Sequence, residues 1–381
     1  MQNSERLVRV PPNLEFSVSY KDLRQALLRV GIDAPAAQLL ITADKLLIRV
    51  EDQYLACQHE LDLVSCAGIA DGQSLALATT LDTLFIFCRS EWTESQSNFI
   101  FSVNGDSGEN SGTGLLTVAL GSDEVSRRAH VFELFQQLGA SAPTTSIDSR
   151  ALSACLARIK PFVDAELGVI MLTNGCMMAI GANCCGRIEH SALGSTELLL
   201  EPGSADKLGK VLKNWDGTLA NISVDGPYVY FSSGTTICRA IRSNRERRTD
   251  LKWFDEASDY PSARVSGQDF RNSVQRISAQ VQKDEAVELK VDPDGRFLHF
   301  TLDCGDGVAK ATMATQNGAE LSNKQMPSAR LVISDLMALA DGYGASSPIE
   351  VRFGDKLVAF YQRDDAFSTS VLRATRGHVT R

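Results

Sequence analysis

Two groups of residues have types and spacings that could do covalent or metal chemistry. Ser204-Ala205-Asp206-Lys207 matches S-x-x-K, in which a lysine amine one helical turn away can take the proton of a nucleophilic serine. Cys184, Cys185 and His190 offer thiols and an imidazole, the donors of a zinc site or of a nucleophilic thiol. Neither constellation is complete. Ser204 equally suits a helix cap and Lys207 a solvent face. The second half of a zinc pattern is missing, because the other histidines, His59, His130, His299 and His378, are scattered. No GxxxxGK[ST] loop, GxGxxG fingerprint, HExxH helix or GxSxG elbow occurs, so the common nucleotide, metalloprotease and hydrolase signatures are absent. The residues read as non-enzymatic, with no cofactor and no metal.

The chemistry that recurs is that of cations. The periodicity predicts helices over Tyr20–Val30, Asp148–Phe162, Ser204–Trp215 and Gln268–Lys283, with shorter ones at Leu81–Ser90 and Ser334–Asp341. Ser19, Asp148, Ser204 and Ser334 are placed to cap them. On the third of the long helices Leu208, Val211, Leu212 and Trp215 keep helical spacing, while Lys207, Lys210 and Lys213 fall opposite. The fourth buries Phe270, Val274, Ile277 and Val281 and turns Arg271, Arg276 and Lys283 outward. Leu152, Leu156, Ile159 and Val163 oppose Arg150, Arg158 and Lys160. Leu23, Ala26, Leu27 and Val30 oppose Lys21, Arg24 and Arg29, with Leu28 off the stripe. Apart from the cap Asp148, these four helices carry twelve basic residues against Asp22, Asp206 and Asp269, in a chain whose net charge is −9. Such segregation lets one surface meet phosphates without reading bases, although a solvated helix face also carries Lys and Arg.

The elements around these helices repeat. In 381 residues with 44% hydrophobic and 22% charged, the chain is long enough for two or three globular domains. Six units are visible, beginning near Phe16, Ala76, Ile147, Leu199, Arg264 and Leu331. Each opens with a short β-like run, continues into an amphipathic helix and closes with β-rich segments joined by Gly, Asn or Asp turns. Leu219–Val224, Tyr228–Ser232 and Thr236–Ile241 form a meander turning at Asp225-Gly226 and Ser233-Gly234, and Asp292-Pro293-Asp294-Gly295 marks another hairpin. Linkers are expected at Gly139–Thr145 and Ser243–Pro261, and Asn104–Gly114 reads as a flexible hairpin loop. Pairs of units then make three domains, 14–141, 142–260 and 261–381. Leu167–Cys185, the longest apolar stretch, is broken by Asn174, Gly175, Gly181 and Asn183 and reads as two buried strands, not a membrane span. The first twelve residues lack a secretory pattern. Nine cysteines without a CxxC pair suit thiols in a reducing cytoplasm, most of them buried as small apolar residues.

Six units, three domains and cationic helix faces together resemble the bacterial DNA polymerase III beta subunit, the sliding clamp. The resemblance is carried by Leu198–Ser243, with the helix Ala205-Asp206-Lys207-Leu208-Gly209-Lys210-Val211-Leu212 and the run Ile237-Cys238-Arg239-Ala240-Ile241, by Ala263–Thr315, by Leu331–Thr375 and by Phe85-Ile86-Phe87-Cys88-Arg89. It implies an α+β DNA-clamp fold, each domain built from two β-α-β-β-β units, and a homodimeric ring with helices inside and sheets outside. It implies a cytoplasmic, nucleoid-associated replication processivity factor whose partners are duplex DNA, a DNA polymerase and a clamp loader. Its implied DNA-lining residues are Lys21, Arg24, Arg29, Arg150, Arg158, Lys160, Lys207, Lys210, Lys213, Arg271, Arg276 and Lys283. The family's peptide cleft between its second and third domains implies Cys184, Cys185, Arg245, Val371 and Leu372. Here Ala182-Asn183-Cys184-Cys185-Gly186 stands near the family's Asp-Gly-His-Arg-Leu, Ser243-Asn244-Arg245-Glu246 near its Gly-x-Phe-Pro, and Val371-Leu372-Arg373-Ala374-Thr375 near its Met-Pro-Met-Arg-Leu ending. The cleft is therefore expected to differ, as in a divergent clamp of a phage or mobile element. A clamp-fold scaffold or inhibitor that binds replication proteins without encircling DNA is the other reading.

Overall fold

Strand alternation and helical stripes resolve into six copies of one pattern. The computed structural model describes residues 14–31, 34–85, 98–105, 113–132, 136–139, 141–163, 168–173, 175–181, 184–215, 217–244, 254, 256–280, 285–303, 307–316, 328–354, 357–364 and 367–374. In each repeat one strand leads into one helix and three further strands follow, with one short extra strand, Ser65–Ala67, between the first repeat and the second. The helices are α1 (Tyr20–Val30), α2 (Leu81–Phe85), α3 (Ser149–Ile159), α4 (Pro202–Leu212), α5 (Gly267–Ser278) and α6 (Ile333–Gly342). The opening strands are Leu14–Ser19, Leu75–Thr80, Thr145–Asp148, Leu198–Leu200, Ser262–Val265 and Ser328–Val332. Every unit start expected from the sequence lies inside one of them.

The chain falls into two compact units, Met1–Ser153 with Lys207–Ile241, and Ala154–Asp206 with Arg242–Arg381. In the first, a thirteen-stranded antiparallel sheet runs Thr145–Asp148, Leu219–Asp225, Tyr228–Ser233, Thr236–Ile241, Leu55–Asp62, Lys45–Glu51, Ala36–Ile41, Leu75–Thr80, Asp123–Phe132, Thr113–Leu120, Asn98–Gly105, Leu14–Ser19, Ser65–Ala67. In the second, eight strands run Leu198–Leu200, Val169–Thr173, Cys176–Ile180, Cys184–Glu189, Ser368–Ala374, Leu357–Arg363, Ile349–Phe353, Ser262–Val265. A separate four-stranded sheet runs Val308–Ala314, Phe297–Asp303, Ala286–Val291, Ser328–Val332. The meander turns fall on Gly226 and Gly234, whose φ of 53° and 57° lies where a side chain is disfavoured. No helix among the described residues is long and apolar enough to cross a membrane.

Two of the four expected caps hold. Ser19 accepts the Asp22 amide at 3.5 Å, and Asp148 accepts that of Ala151 at 2.7 Å. In contrast, α6 begins at Ile333 with Val332 as its uncapped start, so Ser334 lies inside the first turn. Ser204 likewise falls inside α4, because Pro202, with φ preset for a helix and no amide to satisfy, opens it two residues earlier.

Two further expectations change. Ser243–Pro261 is not only a linker, because Phe254 and Ala257 are buried against Val169, Met178, Ile180 and Cys185. And not every cysteine is a lone thiol: Cys57 and Cys238 form a disulfide, since Leu55–Asp62 and Thr236–Ile241 pair in a register that sets them directly opposite. The pairing was invisible in a sequence where they stand 181 residues apart. Most of the loop at Asn104–Gly114, and Ile86–Arg89 of the implied second helix, lie outside the described residues.

Candidate nucleic-acid interface

The basic helices are built as their periodicity requires, each burying an apolar stripe. In α1, Leu23, Ala26, Leu27 and Val30 are fully buried, leaving Lys21 and Arg24 exposed, Arg29 half-buried and Leu28 protruding at 45% exposure. In α4, Leu208, Val211 and Leu212 are buried with Trp215 just beyond, while Lys210 and Lys213 are exposed. The ends of these two helices meet. Asn214 Nδ2 donates to Leu28 O at 2.9 Å and Trp215 Nε1 to Arg29 O at 3.4 Å, so side chains near the end of α4 cover two orphan carbonyls of α1. Ser153 of α3 donates to Gly209 O at 2.7 Å, which draws the start of α3 alongside. The first unit thereby gathers Lys21, Arg24, Arg29, Arg150, Lys207, Lys210 and Lys213.

The second unit holds Arg158, Lys160, Arg271 and Arg276. α5 buries Phe270, Val274 and Ile277 and exposes Arg276. It ends at Ser278, and Val281 and Lys283 lie outside the described residues.

Four of these basic side chains are engaged by groups of their own chain. Arg158 is tied down by Asp364 at 2.7 Å and Gln362 at 2.9 Å and stacks on the Phe367 ring at 4.8 Å. Arg271 donates to the carbonyls of Ala340 and Tyr343, answering the free carbonyls at the end of α6. Lys207 pairs with Asp52 at 2.6 Å, and Lys160, itself well exposed, with Asp206 at 2.6 Å. Burial alone would raise the Asp52 carboxyl, but the Lys207 hydrogen bond and the amides of Tyr54 and Leu55 outweigh it and hold it below its usual value. These carboxylate partners went unread in the sequence, because Asp52 and Asp364 are far along the chain from the helices they neutralise. Lys21, Arg24, Arg150, Lys210, Lys213 and Arg276 stay exposed, a sparse set that suits loose phosphate contact better than a tight grip.

The residues implied for a peptide cleft come together, but as packed structure. Cys184–Glu189 pairs with Ser368–Ala374, setting Cys184 opposite Arg373, Cys185 opposite Leu372 and Gly186 opposite Val371. Cys184, Cys185 and Val371 are buried, and burial pushes both thiols up to about 12, leaving them protonated at neutral pH. Under Gly186 lies Phe162, so close that a Cβ there would fall 2.8 Å from its Cβ, and a Cβ on Gly342 would meet its ring at 2.2 Å. Arg373 pairs with Asp335 at 2.8 Å. Arg245 lies outside the described residues. At the end of the same strand pair is an open groove of about 540 Å³ bordered by Arg187, Glu189, His190, Asp364 and Phe367. The His190 ring accepts the Ala192 amide at 3.1 Å, and no cluster of three metal-ligating side chains occurs among the described residues. Ser204 is fully buried on α4, away from any position open to a substrate.

No protein-family model and no curated protein matches the sequence. Solved structures do. A DNA polymerase sliding clamp from Pseudomonas aeruginosa superposes with a TM-score of 0.74 at 10% identity, covering 96% of this chain and 100% of that one. A sliding clamp from Bartonella birtlesii, solved with griselimycin bound, gives 0.72 at 12% identity with the same coverage. The beta subunit of DNA polymerase from Streptococcus pyogenes gives 0.71 at 10%, again over 96% and 100%. The chain has the α+β fold of the bacterial sliding clamps, from end to end of those proteins.

Proposed function

We propose that this chain is a DNA sliding clamp, a ring without catalytic residues or cofactors that encircles duplex DNA irrespective of sequence and tethers a DNA polymerase to it. The observation that carries the proposal is the clamp fold over 96% of the chain combined with cations sorted onto the exposed helix faces. A ring holds DNA by topology. It tolerates an acidic whole, because only the surface facing phosphates must be positive, and tight neutralisation of many phosphates would slow sliding. In this reading the repeats pair in chain order into domains 14–141, 142–260 and 261–381, the protein works in the cytoplasm on the nucleoid, and a clamp loader opens the ring.

Two copies close it, and strand edges support this. The last strand of the first repeat, Leu55–Asp62, pairs with that of the fourth, Thr236–Ile241. The last strand of the third, Cys184–Glu189, pairs with that of the sixth, Ser368–Ala374. Left over are the last strand of the fifth, Val308–Ala314, at the edge of its sheet, and that of the second, Asp123–Phe132, which beyond Thr113–Leu120 pairs, among the described residues, only with Ala76–Ala78. Val308 is 67% exposed. A second copy supplies the missing partner to each edge, completing the series with the same kind of pair and covering edges that would otherwise template aggregation.

Light scattering on the purified protein tests this assembly. A particle of about twice 41.4 kDa is expected, and a monomer at every concentration would overturn it.

A further inference from the structure

Cys57 and Cys238 are each fully buried, sit in register opposite one another and have Cα atoms 4.2 Å apart, the close spacing of a non-hydrogen-bonded antiparallel pair. Two residues away on the same face, the His59 ring is hydrogen-bonded to Thr236 Oγ1 at 2.6 Å. This seam joins Leu55–Asp62 to the last strand of the fourth repeat, and the disulfide crosses it. The equivalent seam between Cys184–Glu189 and Ser368–Ala374 has no such bond: Cys184 faces Arg373, and Cys184 and Cys185 are free thiols. Chemistry therefore distinguishes two otherwise equivalent strand junctions.

We propose that Cys57 and Cys238 form a reversible thiol–disulfide staple, a redox modification site that fixes the Leu55–Asp62 and Thr236–Ile241 junction when oxidised and loosens it when reduced. The strand register, rather than the bond, brings the two sulfurs together, so the reduced pair stays positioned to reoxidise. The oxidant is a low-molecular-weight disulfide of the glutathione class. The Cys57 thiolate attacks one of its sulfurs, forming a mixed disulfide and expelling one small thiolate. The Cys238 thiolate then attacks the Cys57 sulfur, forming the intramolecular bond and expelling the second. Two electrons pass from the protein pair to the small disulfide, and the two thiol protons end on the two small thiols. Because neither sulfur is exposed, exchange proceeds through local opening of the strand pair. The proposal rests on this seam alone and is independent of the clamp reading.

The test uses the full-length wild-type protein in glutathione buffers of graded redox ratio. Thiols are trapped with iodoacetamide in denaturant, and the state of Cys57 and Cys238 is read by peptide mass spectrometry. Expected are a linked Cys57–Cys238 peptide at the oxidising end, its reversible conversion to two alkylated cysteines at the reducing end, and a Tm at least about 4 °C lower for the reduced protein. The Cys57→Ser/Cys238→Ser variant, if it folds, should show a Tm independent of the buffer. Alkylation of both cysteines at every redox ratio would overturn the proposal. So would a wild-type Tm that does not move with reduction.

Discussion

Lys207 Nζ lies 2.6 Å from Asp52 Oδ2, and this contact separates the lysines of α4 into two kinds. Lys207 is engaged by its own chain, whereas Lys213, just past the end of the helix, is exposed. Reversing Lys207 to Glu would set two carboxylates side by side and cost about 2 kcal/mol. A lower Tm, read by differential scanning calorimetry, is the expected outcome.

Reversal of Lys21, Arg24, Lys213 and Arg276 together should leave Tm nearly unchanged, because all four are exposed, while weakening duplex binding. The loss should be equal on unrelated sequences, and the slope of log K against log salt should fall by roughly one per phosphate contact removed. Fluorescence anisotropy with two duplexes of different sequence checks both. A loss confined to one sequence would count against sliding.

Arg158 behaves as structure, despite its place on a basic helix face. Its guanidinium joins Asp364 and Gln362, and the Gln362 amide in turn donates to Gly344 O and Ser347 O. Arg158→Ala leaves a half-buried carboxylate without its cation and should destabilise the second unit by about 2–4 kcal/mol. Urea denaturation should show a lower midpoint, with little change in DNA affinity once the variant is folded.

His59 makes stability depend on pH. Burial, aided by the nearby Arg29 charge and opposed by Glu60 and Asp22, lowers its pKa from 6.5 to about 4. The unfolded chain therefore binds a proton between those values that the folded chain refuses. The contribution is complete above pH 6.5, declines as pH falls and is gone below about 4, amounting to on the order of 3 kcal/mol. An NMR titration should find the His59 ring still neutral at pH 5.5, with thermal stability falling from pH 6.5 to 4.5. A ring that titrates near 6.5 would contradict this.

Much of this architecture was legible because it is written in local spacing. The stripe Leu208, Val211, Leu212 and Trp215 and the turns at Gly226 and Gly234 depend only on neighbours a few residues away, and so did the six repeat starts. What stayed hidden depends on tertiary register. Nothing local says that Lys207 will meet Asp52, that Arg271 will serve the end of α6, or that Cys57 will face Cys238. The Phe162 ring against Gly186 and Gly342 likewise needs three distant segments at once. At about 10% identity to the solved clamps, the likeness lives in element order and apolar positions, which a core tolerates in many chemical versions provided volume and pattern are kept.

A ring that encircles DNA is retained by topology. A linear duplex is fixed to a bead by one end, the protein is added at high concentration so that rings thread over the free end, and that end is then capped with a bulky protein. High salt removes phosphate contacts but not a threaded ring. An encircling clamp should show salt-resistant retention on duplexes capped after loading, and loss from duplexes left open or capped beforehand. Equal, complete loss from all three would contradict a clamp that surrounds DNA.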